Sequence, residues 1–517
     1  MERVAADAAS TTGLTEAIEA LLPALEQFLR FEGNDPAARR TAWAPGLDEP
    51  LPVEGLGRDE VLARLADVVI PNGLRIGHPG FSGWVTTMPT TMATAANLAA
   101  TVAASQRWWV HAGNLVDSVA CRWLVELLGF PDQFTANLTA GGSTANLAGM
   151  GAARQHAGER LGLRPSLDGV ALIPEPRVYA SSATHHVVHR ALGVLGLGRR
   201  NLHTIGLDRS GRVDVASLER AMDADITAGC TPIAVVGSAG DVNTGLVDPL
   251  AELARIAHER NTWFHVDGAY GGWGMLDDRV RDAYGDVATY DSFAVDPHKW
   301  LAAPVGTGAI IVRDAGVLAR AFTIEPGDYD AAREAPSSTG DLGSPFDELG
   351  QGSPELGVDF STPARGIAVW AILGEIGASG MRARVTRHLD CARHVADRAR
   401  SEPELELLIE PQLSICCFRY RPPGVTDEPA IDAFNQRLLT AVVARGRTVT
   451  SSTRVDGRFA IRPCFINPRT TLDDADALVE EVLAVGRELA GASEPEFAGI
   501  EIIDQFREAR TNGSVDD

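Results

Sequence analysis

The chain predicts an α/β fold, with a mostly parallel, doubly wound sheet in a large domain and a smaller α+β domain after it. Three observations predict it. From about residue 76 to 380, short β-rich apolar runs alternate with helical patterns, as βαβ units in a parallel sheet require. The chain is 517 residues long and 45% hydrophobic, more than one small domain needs and enough for a large core. From about residue 381 the pattern changes to a helix, two antiparallel-looking runs and an acidic helix.

Taken in order, residues 1–75 read as helices joined by the Pro/Gly-rich connector Trp43-Ala44-Pro45-Gly46-Leu47-Asp48-Glu49-Pro50-Leu51-Pro52. Too little apolar surface gathers there for an independent core. This arm is therefore expected to pack on the main body or on another subunit. Residues 76–380 form the large domain, with strands expected at Arg177–Ala180, Pro232–Val236, Trp263–Asp267, Ser292–Val295 and Gly308–Val312. Residues 381–510 form the small domain: a helix over Met381–Ser401, strand-like runs Leu413–Tyr420 and Arg458–Arg462, and a helix over Leu472–Ala490. Residues 511–517 read as a disordered tail, and no internal repeat is present.

Composition narrows the function. The net charge is -23, which argues against nucleic acid and anionic membrane surfaces as partners. The most apolar run, Met88 to Ala104, is Ala/Thr-rich and holds Asn97, so it reads as a packed, buried helix rather than a membrane span. The N-terminus carries Glu2, Asp7 and Glu16 with no basic segment before an apolar core. The six cysteines show neither CxxC pairing nor zinc-site spacing. Reduced thiols in a cytoplasmic protein are expected.

Four segments carry chemistry. Ser292-Phe293-Ala294-Val295-Asp296-Pro297-His298-Lys299-Trp300 ends a buried strand in an acid, a histidine and a lysine. A lysine against apolar surroundings is costly to keep charged, which suits an amine that must attack a carbonyl and hold a Schiff base. The plain alternative is that Lys299 snorkels at the strand end. Thr139-Ala140-Gly141-Gly142-Ser143-Thr144-Ala145-Asn146-Leu147 is a glycine turn entering a helix, where free N–H groups and the Ser143 hydroxyl can hold an anion. It matches neither GxxxxGK[ST] nor GxGxxG. His265-Val266-Asp267-Gly268-Ala269-Tyr270 places a carboxylate at a strand's carboxyl end, where ligands of open α/β sheets collect; a helix N-cap is its ordinary alternative. Ala180-Ser181-Ser182-Ala183-Thr184-His185-His186-Val187-Val188-His189 follows another strand, and an imidazole there can stack on a flat ring or serve merely as a cap.

Together and in this order, these segments resemble the group II pyridoxal-phosphate-dependent amino-acid decarboxylases, the family of aromatic-L-amino-acid and glutamate decarboxylases, of fold type I. The resemblance begins at His78-Pro79-Gly80-Phe81-Ser82-Gly83-Trp84 and continues through Thr362-Pro363-Ala364-Arg365-Gly366. It ends in Ile461-Arg462-Pro463-Cys464-Phe465-Ile466-Asn467-Pro468-Arg469-Thr470-Thr471. It implies pyridoxal 5'-phosphate as cofactor and a large domain of the seven-stranded type. By position, Lys299 would hold the cofactor as a Schiff base, Asp267 would pair its ring nitrogen, His185 would stack on the ring and Ala269 would pack on the other face. Gly142, Ser143 and His298 would hold the phosphate. Phe81 and Trp84 would line the substrate pocket, and Arg365 would position a carboxylate or the active-site loop. The implied reaction converts an L-amino acid to its amine and carbon dioxide, in a homodimer with sites at the interface.

The sequence departs from that family in four places. Relatives usually carry a tyrosine in a mobile loop; here residues 325–359 hold only Tyr329, with Phe346 or Ser353 as candidates for the loop position. A carbanion not promptly protonated lives long enough to meet dioxygen, so decarboxylation coupled to oxidative deamination, giving an aldehyde, stands as the alternative. A catalytically silent cofactor-binding homologue is a third reading. Asp296 stands where many relatives have asparagine beside the phosphate, and two anions there would repel unless it turns away or caps the chain. Gly240-Asp241-Val242-Asn243-Thr244-Gly245 lacks the usual Gly-Thr-Thr, leaving Asn243 or Thr244 to supply a hydrogen bond. Gly83-Trp84-Val85-Thr86-Thr87 replaces an aromatic-aromatic-proline pattern, so the substrate side chain stays open.

Overall fold

A computed structural model describes residues 13–32, 43–103, 111–322, 356–359 and 362–491. The eight strands of the first three hundred or so residues are β1 (Phe81–Ser82), β2 (Thr135–Thr139), β3 (Pro176–Ser181), β4 (Leu202–Ile205), β5 (Thr231–Ser238), β6 (Trp263–Asp267), β7 (Ser292–Val295) and β8 (Gly308–Val312). Seven of them form one sheet in the order β2-β8-β7-β6-β5-β3-β4. The pairs β3–β4, β3–β5, β5–β6 and β6–β7 are parallel, whereas β8 runs antiparallel to both β2 and β7. The middle strands are buried along almost their whole length. That explains their continuous apolar composition: with helices on both faces, neither face can be polar.

The helix Gly142–Arg160 crosses behind the sheet on a stripe of Ala145, Ala148, Gly149, Ala152 and Ala153. Small residues let it lie close. A Cβ at Gly149 would stand 2.5 Å from the His265 ring, so only glycine fits beneath that imidazole. On the same principle of one apolar stripe per helix, Leu250–Glu259 buries Leu250, Leu253, Ala254, Ile256 and Ala257.

A second sheet is built from β9 (Leu405–Ile409), β10 (Cys417–Tyr420), β11 (Val449–Val455) and β12 (Arg458–Arg462), with β1 added at its edge, in the order β1-β11-β12-β10-β9. The two runs expected beyond residue 381 pair antiparallel, Phe418 opposite Ile461. The parallel addition of β1, Phe81 opposite Val449, was not foreseen. The helix expected from Met381 is the second part of Gly366–Ser401, which breaks at a non-helical Gly377 with φ 64° and ψ 178°, three residues before residue 380. The apolar run near residue 90 is the helix Thr91–Ala103, and it is only partly buried. Ala93, Ala96 and Ala100 face the protein, whereas Met92, Leu98 and Val102 are exposed. No described helix is long and apolar enough to cross a membrane.

Candidate active site

The carboxyl ends of β2, β3, β5, β6 and β7 converge on one edge of the large sheet. Because β8 runs the other way, its entry loop, Val305 to Thr307, arrives at the same edge. A cavity of about 900 Å³ opens there. Its wall includes Gly142, Ser143, His185, Asp267, Ala269, His298 and Lys299, together with Phe81 from β1 and Trp84 from the turn just after it. The topology thus brings nine of the ten expected residues together. Arg365 is the exception: it does not line the cavity. Its Nε donates to the Gly306 carbonyl at 2.9 Å, so it braces the cavity's loop from behind, and burial holds its guanidinium below the ordinary arginine range.

Each side chain owes its place to local structure. Gly141 adopts φ 104°, a left-handed conformation that favours glycine, and so turns the end of β2 into the helix Gly142–Arg160. The first N–H groups of a helix lack intrahelical partners, and its dipole favours an anion at that end. His185 caps the helix His186–Val194, its Nδ1 accepting the Val187 N–H at 3.3 Å. Burial, partly offset by Asp267, lowers its pKa, which leaves a neutral, flat ring at the cavity wall. Asp267 ends β6 with its Oδ1 accepting the Ala269 N–H at 3.1 Å. His298 points Nδ1 at the Thr307 carbonyl, 2.7 Å away. Lys299 follows β7, and its Nζ lies 3.0 Å from Asp296 Oδ2. Phe81 and Trp84 form a tilted pair with ring centroids 6.0 Å apart. Trp84 adopts φ 50°, a strained conformation for a bulky residue.

Three further contributions escaped the sequence reading. His265 is fully buried; its Nε2 faces Asn146 Oδ1 at 2.9 Å and its Nδ1 faces Ser292 Oγ at 2.8 Å. Asn146 in turn donates to the Gly142 carbonyl at 2.8 Å, so this network fixes the glycine turn against the sheet. Burial pushes the His265 pKa down to about 4, which keeps the ring neutral. Arg462, 4% exposed, lines the cavity and donates to the Trp84 carbonyl at 3.0 Å, the Asn243 carbonyl at 3.3 Å and the Val242 carbonyl. It clamps the turn after β1, which carries Trp84, to the loop after β5. Asp241, in place of a threonine, is consumed by that loop: its carboxylate accepts the N–H groups of Asn243 (2.8 Å) and Thr244 (2.9 Å) and the Thr244 hydroxyl. Alternating strand arginines and loop acids look solvent-facing in a sequence, so no local signal marked these roles. Asp296 neither turns away nor caps the chain; it lies against the glycine turn. Tyr329, Phe346 and Ser353 fall outside the described residues.

The donor set fits a flat, phosphate-bearing aldehyde. A half-buried amine, a carboxylate at a strand end, a neutral imidazole face and a helix N-terminus share one cavity. At the helix N-terminus, Asp296 Oδ1 is buried without a hydrogen-bond partner among the described residues. No group of three or more metal-ligating side chains was found among those residues.

Comparison with known proteins agrees. The family pattern described as "Pyridoxal-dependent decarboxylase conserved domain" matches residues 45–421. An aromatic-L-amino-acid decarboxylase of Bacillus atrophaeus is 29% identical over 452 residues, covering 86% of this chain and 88% of that protein. An L-2,4-diaminobutyrate decarboxylase of Rhizobium meliloti (strain 1021) is 26% identical over 447 residues, covering 85% and 84%. The crystal structure of Oryza sativa TDC with PLP and tryptamine superposes with a TM-score of 0.84 at 21% identity, covering 94% of this chain and 100% of that one. That likeness carries the fold, the fold type I arrangement expected from the sequence.

Proposed function

The chain belongs to the pyridoxal-dependent decarboxylases, and from that premise we propose that its cavity decarboxylates an L-amino acid with an apolar, aromatic-sized side chain. The protein is a pyridoxal-phosphate-dependent carboxy-lyase acting on an amino acid. The observation that carries the choice of substrate is an apolar stretch of the cavity wall, formed by Leu74, Phe81, Trp84, Val85, Leu439 and Val443. The charged groups that also line the cavity near the small sheet, Asp241 and Arg462, are already engaged with the loop after β5 and the Trp84 carbonyl, so a diamino or dicarboxylic side chain would lose its hydration against that stretch without gaining a free counter-charge.

When bound, pyridoxal phosphate supplies an aldehyde and a ring that accepts the electron pair left when carbon dioxide departs. The protein's own residues do the rest. Lys299 Nζ would hold the cofactor through its aldehyde, and Asp267 would keep a proton at the ring nitrogen. His185 and Ala269 would flank the ring and exclude water, and Gly142, Ser143 and His298 would hold the phosphate. Phe81 and Trp84 orient the substrate side chain, and Arg462 fixes Trp84 through its backbone carbonyl. Arg365 positions the loop at Gly306. In this reading residues 1–75 are a dimerisation arm, residues 76–380 the cofactor domain and residues 381–510 the small domain.

The same reading makes the protein a cytoplasmic homodimer. Support comes from the helix Gly13–Phe28, which buries no residue in the single chain, and from the exposed Met92, Leu98 and Val102. The free cysteines, five of them buried, suit a reducing compartment.

The test is reconstitution with pyridoxal phosphate, borohydride reduction and peptide mapping, then a panel of amino acids assayed for carbon dioxide with an oxygen electrode alongside. The expected result is a reduced adduct on Lys299 and carbon dioxide from aromatic substrates without oxygen uptake. Stoichiometric oxygen uptake with peroxide would establish the aldehyde-forming reaction instead, and turnover of none of the substrates would overturn the assignment.

A further inference from the structure

Asp296 is a buried acid with only one carboxyl oxygen partnered among the described residues, and the role inferred for it rests on the reading that pyridoxal phosphate occupies the cavity. Its side chain is 3% exposed. Oδ2 lies 3.0 Å from Lys299 Nζ and 3.7 Å from His298 Nε2, while Oδ1 is buried and without a hydrogen-bond partner among the described residues. The same carboxyl is pressed against the anion cradle. A Cβ at Gly142 would stand 2.6 Å from Oδ2, and one at Gly308 would stand 2.8 Å from Oδ1. The acid therefore shares the N-terminus of the helix Gly142–Arg160 with any phosphate held there.

The groups facing Asp296 are few. Lys299 and His298 come from its own segment; His185, beyond the end of β3, is in electrostatic reach of both Asp296 and Asp267, which ends β6. The Trp273 indole goes to the Asp296 backbone carbonyl at 3.0 Å, not to the carboxyl. Among the described residues, only Lys299 is a cation at contact distance. In condensing with the cofactor's aldehyde, an ammonium with three N–H donors becomes a trigonal nitrogen with at most one, aimed along the cofactor. Asp296 then loses its main partner as a second anion arrives, and like charges in a buried site disfavour one another.

We propose that Asp296 takes up one proton when the cofactor binds and, as a neutral carboxyl, donates a hydrogen bond to the cofactor's phosphate. The proton comes from solvent and forms one O–H bond on Asp296. The condensation at Lys299 releases one water and leaves the nitrogen's charge in place. Asp296 thus makes cofactor uptake an acid-favoured step, which an asparagine at this position would not do.

The experiment compares pyridoxal phosphate dissociation constants of the wild type and Asp296→Asn across neutral to alkaline pH. Absorbance titration gives the constants, and calorimetry in two buffers of different ionisation enthalpy gives the proton count. Wild-type affinity should fall about tenfold more per pH unit than that of the variant, and wild-type binding should consume about one more proton. Pyridoxal, which lacks the phosphate, should abolish the difference between the two proteins. Parallel pH slopes with pyridoxal phosphate would overturn the proposal. So would a difference that persists with pyridoxal, because the effect would then come from pairing with Lys299 alone. If Asp296→Asn does not fold, the unaltered enzyme decides: equal proton uptake with pyridoxal phosphate and with pyridoxal refutes the idea. Failure of either protein to bind pyridoxal phosphate at all would refute the cofactor reading itself.

Discussion

Replacing His265 with glutamine is expected to remove much of the acid sensitivity of the sheet edge that carries the site. His265 has zero exposure, and burial pushes its pKa down from 6.5 to about 4. A histidine depressed in the folded state is neutral there, whereas the unfolded chain takes up its proton once the pH drops below 6.5. The stabilisation is therefore complete above that value and is lost as the pH falls toward 4. At about 1.4 kcal/mol per pH unit, the displacement corresponds to about 3 kcal/mol in all, and about 2 kcal/mol of it is gone by pH 5. Glutamine can still donate to Asn146 and accept from Ser292, but it cannot take up a proton in this range. The assay is urea unfolding of both proteins at pH 7 and pH 5 at one protein concentration. Glutamine should lower stability at pH 7 through imperfect packing, yet the variant should lose about 2 kcal/mol less than the wild type between the two pH values. His388, pushed down by burial to about 3, is present in both proteins and cancels. Equal losses in the two proteins would refute the assignment of acid lability to His265.

The geometry sets three other outcomes. Asp267→Asn should keep pyridoxal phosphate bound but slow carbon dioxide release by roughly 100-fold or more, and loss of binding with unchanged turnover per bound cofactor would contradict the role given to Asp267. Arg462→Lys keeps the charge but not the fork that spans the Trp84, Val242 and Asn243 carbonyls; KM should rise about tenfold with kcat less affected, the equivalent of about 1.4 kcal/mol. A fall in kcat alone would argue that Arg462 does not act by placing Trp84. Ala302 sits at φ 57° with its N–H on the Lys299 carbonyl at 3.0 Å; Ala302→Gly should relieve left-handed strain and stabilise by about 0.5–1 kcal/mol after the entropic cost of glycine, read as an increased urea midpoint.

Much of the site was legible because its chemistry sits where strands end. A strand buried on both faces is a mostly apolar run, so the charged residues at its end, Asp267 closing β6 and Asp296 and Lys299 just past Val295, stand out without any structure. The glycine turn before Gly142 was legible for a similar reason: two glycines between a strand and an alanine-rich helix mark a sharp entry. The two-residue strand β1 carries no periodicity, and its partner Val449 lies 368 residues away, so nothing local revealed that Phe81 and Trp84 reach the cavity through the small sheet. Arg462, at the end of the small sheet's middle strand, carried no local sign that it reaches the loop after β5.

What the sequence determined by itself was which candidate groups stand at the ends of β2, β3, β6 and β7 and in what order, because burial and turn chemistry act over a few residues. What only the tertiary structure decided was how distant segments meet: Arg462 clamping Trp84 to the loop after β5, His265 pinning the glycine turn through Asn146, and Asp296 lying against both Lys299 and that turn. Those contacts depend on side-chain directions and on chain segments tens to hundreds of residues apart. A hydrogen bond across such a separation leaves no pattern in either stretch alone.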